Sequence, residues 1–172
     1  MKSVSTLPPE KKTLLICRHA KSSWEEGVLR DVDRPLNKRG QRDAPEMGKR
    51  LKKRGILPDL IMTSAAVRAK TTAEIIADRL GYPLAKLQIN PNQYAATVPS
   101  LLALLQEIEP QFDTVMIVGH NPEFTDLVNL LGGIHMENLP TCGIVALEFP
   151  VVSWSELAAG RGTLVFFDFP KK

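Results

Sequence analysis

Three histidines occur in 172 residues, and two of them close short apolar runs: Leu14-Leu15-Ile16-Cys17-Arg18-His19-Ala20 and Val115-Met116-Ile117-Val118-Gly119-His120-Asn121-Pro122. A single strand-end histidine is by default a hydrogen-bonded structural residue or a surface side chain. A matched pair is more telling, because two imidazoles at the ends of buried strands can act on one ligand. Arg18 adds a fixed positive charge beside the first, and Arg68 supplies a second from the first turn of an expected helix. Two guanidinium groups, two imidazoles and a helix N-terminus directed at one point suit a tetrahedral dianion, with phosphate the obvious candidate. A neutral imidazole can attack phosphorus and pass the phosphoryl group on to water. Guanidinium groups and a protonated second imidazole would stabilise the charge of the transition state. Such chemistry needs no metal or other cofactor. Two histidines and a carboxylate could hold zinc, but the acid in sequence reach is Glu123, a helical turn past His120, and arginine beside His19 opposes a cation.

The elements that must carry these residues alternate along the chain. Both histidine runs have the length and β-branched content of strands buried on both faces, whose carboxyl ends border the ligand crevice of open α/β sheets. After the first strand a polar loop runs from Lys21 to Arg34. Asn37 is then a candidate cap for a helix with Ala44, Met47 and Leu51 at helical spacing, kinked at Pro45 and ended by Gly55. Leu60-Ile61-Met62 is a strand, Thr63-Ser64 a turn and cap, and Ala66 to Leu80 a helix stopped at Gly81. A weaker strand around Leu87 to Ile89, a loop with Gln93-Tyr94 and a leucine-rich helix from Val98 to Ile108 follow. Pro122 opens a helix through Leu131, ended by Gly132-Gly133. Gly143 to Phe149 and Thr163 to Phe169 are the last strands. Their connection, which contains Trp154, is short for a helical crossover, so these two strands are expected to pair antiparallel at one edge.

The pattern predicts an α/β domain, a mainly parallel sheet with helices on both faces, over residues 13–169, with tails at 1–12 and 170–172. At 44% hydrophobic and 24% charged, the chain can build one full core but not two generous domains. Its formal charge of +3, from 22 Lys and Arg against 19 Asp and Glu, comes without a long basic run, which argues against nucleic acid as a partner. No stretch approaches the ~20 apolar residues of a membrane span, and the first twelve residues lack the apolar core of a secretion signal. A cytoplasmic monomer that does not engage a membrane is expected. Cys17 reads as a small buried hydrophobe, Cys142 stays open, and two cysteines make no disulfide framework.

Arg18-His19-Ala20-Lys21-Ser22 resembles the signature of the histidine phosphatase superfamily, whose Arg-His-Gly element carries a phosphorylated nucleophile. Ala20 in place of Gly points to the small bacterial SixA-like phosphohistidine phosphatases. The likeness extends through Asp33-Arg34-Pro35-Leu36-Asn37-Lys38-Arg39-Gly40, Thr63-Ser64-Ala65-Ala66-Val67-Arg68-Ala69-Lys70-Thr71-Thr72-Ala73 and Val118-Gly119-His120-Asn121-Pro122, and spans about Thr13 to Phe169. The resemblance implies a phosphoglycerate-mutase-like fold, His19 as the phosphorylated nucleophile and Arg18, Arg68 and His120 around the phosphate. Ser22, Lys21 and Asn121 are candidate substrate contacts. The implied partner is a histidine-phosphorylated phosphotransfer protein, of a phosphorelay or a phosphotransferase system, with phosphate as the product.

The departures bear on the substrate. Larger relatives resemble one another in supplying a carboxylic acid, either Asp directly after the second histidine or Glu in a loop after the third strand, to protonate the leaving oxygen. Here Asn121 follows His120, and the Gln93-Tyr94 loop offers an amide and a phenol. An alkoxide leaving group needs that proton, an effect of ~10²–10⁴-fold, and an imidazole needs it far less. Missing acid therefore favours phosphohistidine over an alkyl ester, with Glu25, Glu26, Glu123 and Asp126 read as solvated charges. The alternatives are a small phosphomonoesterase or mutase of the same superfamily and a phosphohistidine-binding adaptor without turnover. Arg30, Arg34, Lys38, Arg39 and Arg42 are either a docking rim or a solvated face, the latter slightly favoured. His135 reads as a surface residue, and Trp24 and Trp154 as packing anchors.

Overall fold

The computed structural model describes residues 10–24 and 29–170. Six strands and four α-helices alternate: β1 (Lys12–Arg18), α1 (Lys38–Lys53), β2 (Leu60–Thr63), α2 (Val67–Leu80), β3 (Gln88–Ile89), α3 (Val98–Gln106), β4 (Thr114–Gly119), α4 (Glu123–Gly132), β5 (Ile144–Phe149) and β6 (Thr163–Asp168). They form one sheet in the order β3-β2-β4-β1-β5-β6. The pairs β1–β4, β2–β4 and β2–β3 are parallel, whereas β5 is antiparallel to both of its neighbours. The expected antiparallel pair of last strands is present at the edge. The strand that reverses is β5, one in from that edge, and β6 again runs in the direction of β1.

Alternation along the strands builds two cores. Leu14 and Ile16 of β1, with Val115 and Ile117 of β4, face α3 and α4 and pack with Leu101, Leu105, Phe124, Leu127 and Trp154. Leu15 and Cys17, with Met116 and Val118, face α1 and α2 and pack with Met47, Leu51, Ala69, Ala73 and Ile76. Burial of both faces is why β1 and β4 read as continuous apolar runs rather than alternating ones. Trp154 sits in the short connection between β5 and β6, fully buried, with Nε1 donating to the Phe112 carbonyl at 2.7 Å. Trp154 is thus the packing anchor the sequence suggests, and Trp24 is not: it is 73% exposed.

Helix boundaries follow local chemistry. The Asn37 side chain accepts from the Gly40 amide and starts α1, as its cap position requires. Ala66 occupies the cap position of α2, so Ser64 is free for another task. Cys17 and Cys142 are buried and unoxidised. No helix among the described residues is long and apolar enough to cross a membrane.

Candidate active site

Register places the two histidines side by side. In the parallel pair β1–β4, Arg18 lies opposite Gly119, so the next residue of each strand is a histidine. The His19 amide donates to the Gly119 carbonyl at 3.0 Å, and the imidazole centroids stand 5.2 Å apart. Strand β2 flanks β4 on the other side, and the Ser64 amide donates to Val118 O, which brings the Ser64 hydroxyl to 2.8 Å from His120 Nε2. One segment of α2 completes the arrangement. Thr72 Oγ1 accepts from the Ala20 amide and donates to the Arg68 carbonyl, tying the turn after His19 to the helix that carries Arg68. Gly40 allows the close approach of α1, because a β-carbon there would collide with the Lys21 carbonyl.

Hydrogen bonds define the reactive atoms. His19 Nδ1 lies 2.8 Å from the Ala20 carbonyl. A carbonyl can only accept, so the ring proton sits on Nδ1 and the lone pair is on Nε2. Burial, with the nearby charges of His120, Arg68 and Arg18 adding to it, pushes the His19 pKa down to about 3, against the opposing pull of the Ala20 carbonyl. His120 is pushed to about 4, by burial first and then by Arg68. Both rings are therefore neutral at physiological pH before an anion binds, and His19 Nε2 keeps a free lone pair. The hydroxyl of Ser64 accepts from the Ala66 amide and shares a second hydrogen bond with His120 Nε2; with Ser64 as the donor of that bond, the His120 proton is on Nδ1.

Arg18, His19, Arg68 and His120 line one cavity of ≈ 210 Å³, together with Lys21, Ser22 and Asn121. All seven residues singled out in the sequence thus meet at one place. Three buried nitrogens in that wall have no hydrogen-bond partner: Arg18 Nε, Arg68 Nε and His120 Nδ1. Buried donors are rarely left unpaired without a reason. Two guanidinium groups and two imidazoles on one cavity wall suit a phosphoryl group. The cavity is below the ~300–1,000 Å³ of pockets that enclose a whole small molecule, so it holds a phosphoryl group and little more. Among the described residues, no three His, Cys, Asp or Glu side chains are grouped so as to hold a metal ion.

Two of the seven have other tasks in this state. Asn121 Nδ2 donates to Asn138 Oδ1 and Leu139 O, and its Oδ1 accepts from the Thr125 amide and hydroxyl, so the amide pins the start of α4. Ser22 Oγ accepts from Arg34 Nη2 at 2.6 Å and keeps its own proton to give. Lys21 is half-buried at the cavity wall.

Sequence reasoning missed the acid next to the site. Asp31, in a short turn at Asp31–Asp33, accepts from Arg68 twice, at its carbonyl (2.7 Å) and at Oδ2 (3.0 Å). The same carboxylate accepts from Tyr94 at 2.6 Å and from Arg34 at 2.9 Å. The Tyr94 hydrogen bond, with those of Arg34 and Arg68, holds the Asp31 carboxyl well below the usual carboxylate range. Asp31 is thus an ionised partner for Arg68, with no proton to give. Arg34 corrects the solvated reading of its cluster: it is 8% exposed and bonded to Ser22, Ser23 and Asp31. The local signal was Arg34 three residues after Asp31, a spacing that pairs them across one turn. Neither Glu123 nor Asp126 lines the cavity. Glu25 and Glu26 fall outside the described residues.

Paired histidines from adjoining strands, with two arginines, line an anion-sized cavity at the strand ends of an α/β sheet. The comparisons say which class this is: the chain belongs to the histidine phosphatase superfamily. The model for the histidine phosphatase superfamily (branch 1) matches residues 14–91. An uncharacterised chloroplastic protein of Arabidopsis thaliana is 34% identical over 159 residues, covering 88% of this chain and 72% of that protein. A 2,3-bisphosphoglycerate-dependent phosphoglycerate mutase of Bifidobacterium longum is 36% identical over 89 residues, 48% of this chain and 36% of the mutase. Within the superfamily the chain is SixA-like: it superposes on the putative phosphohistidine phosphatase SixA from Agrobacterium tumefaciens with a TM-score of 0.80 at 25% identity, covering 92% of this chain and 98% of that one.

Proposed function

We propose that this phosphatase hydrolyses phosphohistidine on a partner protein through a phospho-His19 intermediate, without a metal. The observation that carries the reading is one cavity wall shared by Arg18, Arg68 and His120 with His19, whose Nε2 bears the lone pair. With the substrate ring protonated by solvent on its other nitrogen, Nε2 attacks phosphorus as the bond from phosphorus to the substrate imidazole breaks, and the electron pair of that bond leaves on a neutral imidazole. Water then attacks the phospho-His19 phosphorus, and phosphate departs as His19 Nε2 recovers its lone pair. Both steps pass charge onto equatorial oxygens, where the guanidinium and imidazole donors of the wall are worth most. The dianion draws a proton onto His120, which turns its contact with the phosphoryl group into a charge-assisted one.

Substrate choice rests on the leaving group. The one carboxylate bonded to Arg68 is ionised, and the cavity wall carries no acid among the described residues. An imidazole leaves without a proton from the enzyme far more readily than an alkoxide. Likeness to the SixA protein of Agrobacterium tumefaciens supports the same choice. The match to phosphoglycerate mutases keeps ester or mutase chemistry as the second reading.

The test is phosphate release from a phosphohistidine-bearing phosphotransfer protein beside a sugar phosphate, without added metal. Faster release from phosphohistidine, lost in His19→Ala, supports the reading. Preference for the ester moves the protein to the second reading, and retained turnover in His19→Ala refutes the covalent route.

A further inference from the structure

Among the described residues Trp24 is the one large apolar side chain in the cavity wall, and it is 73% exposed. Its indole does not drift there freely. The Arg34 guanidinium carbon lies 3.2 Å from the ring centroid, and Arg34 is itself fixed by hydrogen bonds to the Ser23 carbonyl, the Asp31 carboxylate and the Ser22 hydroxyl. A buried, bonded guanidinium therefore backs one face of an aromatic ring whose other face is open to solvent. Exposed tryptophan contributes little to a core, and a ring held flat loses little entropy when something stacks on it.

Size and charge say what that something is. At ≈ 210 Å³ the cavity holds a phosphoryl group and little more, so the rest of a macromolecular substrate must lie across the rim. Among the described residues the wall presents Arg18, Lys21, Arg34 and Arg68 and no carboxylate. Such a rim fits a surface with acidic side chains around an apolar spot.

We infer that Trp24, backed by Arg34, is the docking platform for the protein surface that surrounds the substrate phosphohistidine, and so favours protein-bound over free phosphohistidine. This rests on the reading of the site as a phosphohistidine phosphatase. Tryptophan stacked on arginine at the centre of an interface is the composition of binding hot spots, whose truncation costs more than the many neutral contacts around them.

The experiment compares kcat/KM for a phosphohistidine-bearing phosphotransfer protein with kcat/KM for free phosphohistidine, in wild type, Trp24→Ala and Trp24→Phe. In wild type the ratio should favour the protein. In Trp24→Ala the ratio should fall by about 5–30-fold, through KM for the protein substrate, and Trp24→Phe should recover most of it. An unchanged ratio in Trp24→Ala, in an enzyme that prefers the phosphoprotein, overturns the platform and leaves the phosphatase reading standing. An equal fall on both substrates overturns it in favour of a ring that stacks on the leaving imidazole. Wild type that hydrolyses neither substrate overturns the phosphatase reading, and the platform with it. Docking itself is visible in the non-hydrolysing His19→Ala protein: Trp154 is buried and constant, so emission from Trp24 should shift to the blue as phosphoprotein is added. No shift at saturating partner overturns the platform.

Discussion

Replacing Asp31 by asparagine tests whether Arg68 is held ready for phosphate by a carboxylate on a loop. The Asp31 carboxylate accepts from Arg68, Arg34 and Tyr94 at 3.0, 2.9 and 2.6 Å. Asparagine keeps the size and one accepting oxygen but loses the charge, and the backbone contact from Arg68 Nη1 to the Asp31 carbonyl survives. A hydrogen bond to a charged group is worth about 1.5–3 kcal/mol when shielded. Because the Asp31 side chain is 48% exposed, solvent screening reduces that to about 1–2 kcal/mol. If the loss appears as misplacement of Arg68 in the transition state, kcat/KM falls by about 5–30-fold, since each 1.4 kcal/mol is tenfold. Removing the arginine itself sets the ceiling: Arg68→Ala should cost about 10²–10³-fold, the price of one oxyanion donor. Steady-state phosphate release, with the rate of phospho-His19 formation measured by rapid quench, separates formation of the intermediate from its hydrolysis. If Asp31→Asn stays within twofold of wild type while Arg68→Ala falls a hundredfold, Arg68 needs no anchor and the positioning argument is wrong.

Other consequences concern the two imidazoles and the phenol. Ser64→Ala removes the donor to His120 Nε2, frees the ring to take the other tautomer, and should lower kcat by about 3–10-fold at a cost of about 1 kcal/mol; rescue by Ser64→Thr would show that the hydroxyl is the active feature. Burial holds His19 at about 3 and His120 at about 4 in the folded chain. Unfolded histidines titrate near ~6.5, so on acidification the unfolded chain takes up protons that the folded chain refuses. Stability is therefore complete above that value and falls as pH drops toward 4, and urea midpoints measured across this range should decline less steeply in His120→Gln than in wild type. Tyr94→Phe deletes a hydrogen bond to Asp31 and should slow phosphohistidine and sugar phosphate alike, by about threefold; a selective loss of ester turnover would identify the phenol as the proton donor.

Strand-borne parts of the site were legible because backbone pairing alone decides where they go. Once β1 and β4 are neighbours in register, His19 and His120 have no freedom to separate, and the apolar runs that reveal the strands also reveal the pair. Arg68 was legible for a related reason, as a first-turn residue of a helix whose periodicity is plain. Contacts closed by loops left no such trace. Asp31 stands 37 residues from Arg68, and Tyr94 stands 63 from Asp31, inside segments without periodicity, and only the folded chain shows that the three meet. Trp24 was misread because an aromatic residue is apolar by default. What makes it a surface feature is Arg34, ten positions on, whose burial the local charge density concealed.

Asp31 also bears on why, among the described residues, no acid is at hand. A carboxyl group acts as a general acid only if its surroundings favour the neutral form, through burial or a second negative charge. Asp31 meets the reverse: a phenol and two guanidinium groups all donate to it, and each favours the anion. Those same donors are what fix Arg68, so the carboxylate cannot be raised toward the acid's role without loosening the arginine that binds the phosphoryl group. Tyr94 is constrained in turn, because its proton is committed to Asp31 and its own pKa is raised by that bond. Two loops therefore commit their ionisable groups to holding Arg68 in place. Among the described residues, then, the cavity wall holds no proton for a difficult leaving group, and the proposed imidazole leaving group is the one that needs it least.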